Sequence, residues 1–437
     1  MRLFRFLAFL CVGLSVIALA QTEDSFNLNQ RINRIRELGK KDYRVIPTLA
    51  QNLSDPSRDI RIETVKAIVK IGTEASLAPL VQATHDNDSE VQIRAVDGLV
   101  NYYVPGYAAK NALTATLTRG VRQVKAFFGV RNDQVIDPDV PVRQDVQDAI
   151  AQEVAHAASS DARANAARAA GILRDRAAVP ALSDSIHAQD SQLIVEALIA
   201  LQKIRDPQAC QRIASAAHDL DERVQVTALQ TIGGLRCLTC APDVRSDISG
   251  ARNNRVRRAA LEALAMMAIP GDRPLFQQYD RDPDVDLQAA ALEGLGRIRD
   301  PEDFPVLEQA YNEQNADWKV HLAAAFAMVD EGKVTTGDFD PLSYLWESLM
   351  TKPRAAQAQT YLDELARKDD VRRALYALAP TGTKDQKIAL CAILADSHAD
   401  DAVPILNTLS KDIDSDVSLA AVRALRVVRA PAKAVAS

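Results

Sequence analysis

Asp161-Ala-Arg-Ala-Asn-Ala-Ala-Arg-Ala-Ala-Gly-Ile-Leu173 is followed by Gln192-Leu-Ile-Val-Glu-Ala-Leu-Ile-Ala-Leu201, then Arg223-Val-Gln-Val-Thr-Ala-Leu-Gln-Thr-Ile232, then Arg255-Val-Arg-Arg-Ala-Ala-Leu-Glu-Ala-Leu264. These are four copies of one amphipathic pattern, each centred on a small residue: Ala166, Ala197, Ala228 and Ala260. The centres are spaced by 31, 31 and 32 residues. A fixed period of this size marks an array of stacked supersecondary units, each burying its apolar face against its neighbours.

The period extends outward in both directions. Thr64 and Ala95 centre two earlier units, Ala291 and Ala324 two later ones, and Leu390 and Ala421 the last two. The gaps of 71 residues (Ala95 to Ala166) and 66 residues (Ala324 to Leu390) each leave room for one degraded unit with extra residues. Around each centre, apolar or small residues recur at −4, 0, +3 and +4, and again at −2 and +1, a wide helical stripe. A shorter helix precedes it, opening near Pro47, Pro79, Pro180, Pro305 or Pro404. Proline suits a first helical turn because the N–H it lacks would be unpaired there. Ser89, Ser160, Ser191 and Asn254 are the expected caps of the second helices, since their side chains accept from free N–H groups at a helix start.

Val-Pro-x-Leu, an Asp/Asn loop, then Val-Arg-x-x-Ala-x-x-Ala-Leu resembles HEAT repeats, and the 31-residue period is similar to the short subtype of bilin-lyase subunits in phycobilisome assembly. The resemblance implies an all-α protein, an α-solenoid of about ten to twelve two-helix repeats. The expected layout is a signal peptide over 1–20, a capping segment over 21–41, repeats over 42–104, and an insertion or degraded repeat over 105–145. Repeats continue over 146–333, a degraded helical region covers 334–383, further repeats cover 384–430, and 431–437 form a tail. Within 105–145, residues 111–129 read as an amphipathic helix with Leu113, Leu117, Val121, Val124 and Phe128 on one stripe, and Asn132 to Pro141 reads as an extended loop.

Arg2 and Arg5 precede an apolar run from Phe6 to Ala18, and Ala18-Leu19-Ala20 fits a small-x-small cleavage site. Export to the periplasm or the extracellular space, with cleavage after Ala20, is the expectation. The formal net charge is −6; with Arg2 and Arg5 removed, 50 basic against 58 acidic residues give −8. That balance argues against a general nucleic-acid or anionic-membrane role.

Chemistry is sparsely encoded. The resemblance extends to deoxyhypusine hydroxylase, whose His-Glu pairs hold two irons, but no His-Glu dipeptide occurs in this chain. His85, His187 and His218 each stand ten residues before a centre. Stacked helices lie about 8–10 Å apart, too far for one ion to bridge equivalent positions at about 2 Å, so they read as helix-end histidines. Asp280, Asp282, Asp284 and Asp286 lack the glycine and terminal glutamate of a calcium loop and read as turn caps. Neither metal nor cofactor is expected. Cys237-Leu-Thr-Cys240 could be a redox pair, half of a zinc site or a structural disulfide. A disulfide between Cys237 and Cys240 is the reading favoured by an oxidising compartment.

The HEAT resemblance places the second helices on the concave face, with positions −1 and +2 open. The −1 row passes from Glu63, Arg94, Asn165, Glu196 and Thr227 to Ala259, Ala290, Ala323, Ala389 and Ala420. The +2 row passes from Lys66, Asp97 and Arg168 to Phe326 and Ala392, although Glu262, Glu293 and Arg423 remain. Ala259, Ala290, Ala323, Phe326, Ala389, Ala392 and Ala420 are therefore the candidate partner surface. The function expected is a scaffold or adaptor without catalysis that binds a protein partner, with an enzyme or accessory subunit of the bilin-lyase type as the alternative.

Overall fold

The computed structural model describes residues 27–107, 135–137, 139–251 and 253–430. The expected signal peptide, the amphipathic stretch 111–129 and the tail 431–437 lie outside the described residues. Those residues contain helices and no strand. None of these helices is long and apolar enough to cross a membrane.

The second helices of the repeats are α1 (Arg58–Ile71), α2 (Ser89–Tyr103), α3 (Ser160–Ile172), α4 (Ser191–Ile204), α5 (Glu222–Gly234) and α6 (Asn254–Met267). They continue as α7 (Val285–Ile298), α8 (Trp318–Asp330), α9 (Lys352–Leu365), α10 (Lys384–Ser397) and α11 (Ser415–Arg429). The periodic centres, from Thr64 and Ala95 to Leu390 and Ala421, are all 0 % exposed, as is Ala358 in α9. Position 0 thus faces the core in every repeat. Fully buried leucines beside it, such as Leu99 and Leu292, each contribute about 1.5–3 kcal/mol by leaving water.

The described residues divide into two compact lobes, an N-terminal one (27–107, 135–136 and 142–209) and a C-terminal one (137, 139–141, 210–251 and 253–430). Each is an α-solenoid built of HEAT-like two-helix repeats. In the N-terminal lobe, α2 packs directly on α3, and Asn165 donates to Asp97 across the joint at 3.2 Å. The gap of 71 residues therefore places no described repeat between them. In the C-terminal lobe the second gap holds a full repeat, Pro341–Ser348 with α9.

The second helices are capped one residue earlier than expected. Asp88, Ser159, Asp190 and Asn253, in place of Ser89, Ser160, Ser191 and Asn254, accept from the first-turn N–H groups. Each sits in extended backbone, where a cap residue belongs, and the expected residues are already helical. At the other end several helices close through a left-handed residue: Gly72 after α1, Arg205 after α4, Ala268 after α6 and Arg299 after α7. Glycine is the usual occupant, so arginine there is a departure.

Successive second helices approach closely at small residues five positions past the centre. A Cβ on Gly171 would lie 2.8 Å from Ala200 Cα, and one on Gly296 would lie 2.2 Å from Ala327 Cβ. The receiving alanines are at +3, so a +5-to-+3 contact is the repeat-to-repeat joint. Before α1, residues 27–38 form a helix leading into Gly39, where a Cβ would lie 2.9 Å from Ala67 Cβ. Ala67 is the +3 position of the first repeat, so this segment covers the front of the array.

Candidate functional site

The −1 and +2 rows of α1–α4 carry paired charges, reaching water at Lys66 and Arg94 but buried at Asn165 and Glu196, 7 and 6 % exposed. Glu63 at −1 accepts from Arg36 at 3.0 Å and from Lys66 at 2.6 Å. Burial works to raise the Glu63 carboxyl, and the two cations outweigh it, holding it below the usual range. Arg94 pairs with Glu90 one turn earlier. Further along, Arg168 clamps Glu196 with its Nη2 at 2.6 Å. Burial of Arg168 opposes its charge, but Glu196 prevails and keeps the guanidinium firmly protonated.

Ile32, Arg36, Arg58, Asp59, Ile62, Glu63, Lys66, Glu90 and Arg94 line a cleft of about 400 Å³ on this face. Arg36, Arg58 and Lys66 are exposed, Arg94 is half-buried, and the Glu63 side chain is mostly buried. A partner would meet charges already paired within the protein, an arrangement that favours selectivity over raw affinity. A second cleft, about 390 Å³, lies beside His85 and is bordered by Asp55, Arg61 and Asp86.

The apolar partner surface expected in the C-terminal half is not a surface there. Ala259, Ala290, Ala323 and Phe326 are buried, at 2, 3, 0 and 0 % exposure. Ala389 and Ala420 are half-buried, and only Ala392 is exposed. Over Phe326 the space is filled by the protein's own α9. Tyr361 stacks on Phe326 with ring centroids 4.5 Å apart, and the Arg297 guanidinium lies 4.6 Å from the Phe326 centroid. Tyr361 donates its hydroxyl to Glu293 at 2.7 Å, and Glu293 also accepts from Arg297 at 2.8 Å. Glu364 takes Arg297 as well, and Arg236 reaches it from 128 residues away at 2.7 Å.

This network is strongly polarised. Burial, then Glu293, drives the Tyr361 hydroxyl well above its ordinary range. Burial opposes charge on Arg297, but Glu293 and Glu364 overcome it and keep the cation. Glu364 is likewise held low by Arg297 and Arg236 against the effect of burial. Glu262 remains open to water in this concavity, yet the surrounding protein and the neighbouring Glu293 raise its carboxyl to about 7.

The cysteines pair differently from the expectation. Cys237 is bonded to Cys210, with Cα atoms 5.5 Å apart, and Cys240 is a buried free thiol. Cys237 and Cys240 are tied instead by a turn, the Cys240 N–H donating to the Cys237 carbonyl at 2.9 Å. Repeat stacking supplies the physical reason. Positions one period apart lie side by side, and Cys237 falls 27 residues after Cys210, four short of that period. Cys237 also stands where Asp175, Asp206 and Asp300 cap the corresponding turns, so it replaces a cap with a covalent tie.

All three histidines stand at the end of a first helix: His85 caps its helix, His187 follows the cap Ile186, and His218 is the last helical residue, its Nδ1 also lying 3.0 Å from Asp247 in the next repeat. Among the described residues no three His, Cys, Asp or Glu side chains converge as metal ligands. Asp282 and Asp284 accept from backbone N–H groups entering α7, and Asp286 pairs with Lys319 and Arg258.

Residues 16–100 match the family model of HEAT repeats. Among solved structures, the complex of CpcE and CpcF of phycocyanin lyase from Nostoc sp. PCC7120 is 18% identical, covering 52% of this chain and 92% of that one at a TM-score of 0.41. Human deoxyhypusine hydroxylase in complex with glycerol is 18% identical over 57% of this chain and 95% of that one, with a TM-score of 0.29. An engineered protein is 17% identical over 88% of this chain and 98% of that one, with a TM-score of 0.39. No curated protein sequence matches the chain.

Proposed function

We propose that the protein is an exported scaffold or adaptor that binds another protein chain through the open charged cleft of α1 and α2, without catalysis of its own. The observation that carries this reading is the contrast between the lobes. The C-terminal lobe fills the corresponding face with Tyr361, Arg297 and Glu364, whereas the N-terminal lobe leaves a charged cleft of about 400 Å³ open. Solenoids characteristically use such extended faces to bind other chains. The cleft's cations and carboxylates alternate, which suits a partner segment carrying both signs of charge. Export is read from the first twenty residues.

The test is crosslinking and capture from the envelope fraction with the full chain. One stoichiometric partner is expected, and Lys66→Glu combined with Arg94→Glu should abolish its capture while circular dichroism stays unchanged. Capture that survives this double reversal would exclude the face. Recovery of the chain with its leader intact in the cytoplasm would exclude export.

A further inference from the structure

Among the described residues, the repeat of α11 leaves uncovered a stripe that other repeats bury. Positions −2, +1 and +5 of a second helix face the following repeat. In α5 these are Val226, Leu229 and Gly233, at 5 % and 0 % exposure for the first two, with Gly233 set against Ala263. In α8 they are Leu322, Ala325 and Val329, all 0 % exposed. In α11 the same positions are Leu419, Val422 and Arg426, with Ser415 one turn earlier. Leu419 is 48 % exposed and Val422 42 % exposed, and Ser415 and Arg426 are exposed too. This stripe carries two large aliphatic residues at its middle.

Charge along the stripe identifies what fits it. Asp416, exposed, stands at the N-terminal end of α11, and Arg423 and Arg426, both exposed, stand toward its C-terminal end. Asp416 shares Lys384 with Asp414, while Arg423 and Arg426 have no ion-pair partner among the described residues. Two such helices laid antiparallel set Leu419 of one beside Val422 of the other. The acidic end of each then meets the basic end of its neighbour, and the helix dipoles oppose favourably. A parallel arrangement would set like charges together. Head-to-tail stacking of copies is blocked, because the receiving +3 position of the first repeat, Ala67, is already occupied by the segment ending at Gly39.

We propose that two copies of the protein associate through α11 as an antiparallel, two-fold symmetric pair centred on Leu419 and Val422. α11 belongs to the C-terminal lobe and shares no residue with the cleft of α1 and α2.

Sedimentation equilibrium of the full chain between about 1 and 100 µM should show a concentration-dependent dimer. Leu419→Asp with Val422→Asp should give a monomer at every concentration with unchanged helical circular dichroism. Asp416→Arg alone and Arg426→Asp alone should each weaken association at least tenfold. The double charge swap should restore it, as only a self-complementary antiparallel contact allows. A wild-type chain that stays monomeric overturns the proposal. So does a dimer indifferent to these substitutions. A monomer that dimerises only after removal of residues 431–437 would also overturn it, because the tail would then be the occupant.

Discussion

Tyr361 and Phe326 stack at 4.5 Å, although they belong to successive repeats and neither type recurs at its position elsewhere in the array. The pair fastens α9 over α8 and closes the open side of the C-terminal lobe. Phe326→Ala should therefore behave as a core truncation, costing about 3–5 kcal/mol in urea denaturation. Tyr361→Phe keeps the ring but leaves Glu293 short of a buried donor, and should cost about 1–3 kcal/mol. If Phe326→Ala unfolds at the wild-type denaturant midpoint, the stacking is not structural.

The repeat register was legible in the sequence because a solenoid imposes one environment on one position. Ala166, Ala197, Ala228 and Ala260 differ in neighbours but share a place in the core, and the period alone reveals it. Tyr361 and Arg236 were illegible for the opposite reason. Their contacts join elements that no period relates, through side chains long enough to span the open face. The cysteine pairing lay between these cases. Reading Cys237 against its sequence neighbour Cys240 missed Cys210, whereas reading it against the previous repeat would have found it.

For the cysteines, peptide mapping of non-reduced protein should recover Cys210 linked to Cys237, with Cys240 and Cys391 free. Opening this bond by Cys210→Ser should destabilise the C-terminal lobe by about 2–4 kcal/mol, the range for a cross-link enclosing a loop of this size. Cys237→Ser should do the same, and the double variant should lose no more than either single one. A Cys237–Cys240 peptide would overturn the assignment.

Two buried carboxyls make the N-terminal lobe sensitive to pH. Glu153 and Asp175, 4 % and 0 % exposed, each have one oxygen with no hydrogen-bond partner, and burial raises both to about 7. Their folded values exceed their unfolded ones, so the folded lobe binds more protons between about pH 4 and 7. Their contribution is fully present below the unfolded values and is lost as pH rises through 7. Asp175→Asn preserves the oxygen that accepts from the Ala177 N–H. It should raise the melting temperature at pH 8, by a stabilisation on the order of 1–4 kcal/mol, and change little at pH 4. Equal shifts at both pH values would contradict the linkage.

The closest joint between repeats offers the sharpest test of the stacking geometry. At Gly296 an added Cβ would meet Ala327 Cβ at 2.2 Å and Ala327 Cα at 2.6 Å, atoms that cannot swing aside as the end of a long side chain can. Intrinsic helix propensity favours alanine over glycine by about 1 kcal/mol, so an isolated helix would gain from Gly296→Ala. In the array the methyl group must push α7 and α8 apart, and overpacking of this kind costs about 1–3 kcal/mol or more. The steric term should win, leaving the variant less stable than the wild type in thermal denaturation. Gly250→Ala is the control, since its Cβ would meet nothing within 4 Å. It lies near the end of its helix and should be neutral or mildly stabilising. If both substitutions stabilise the protein alike, α7 and α8 are not in the close contact described.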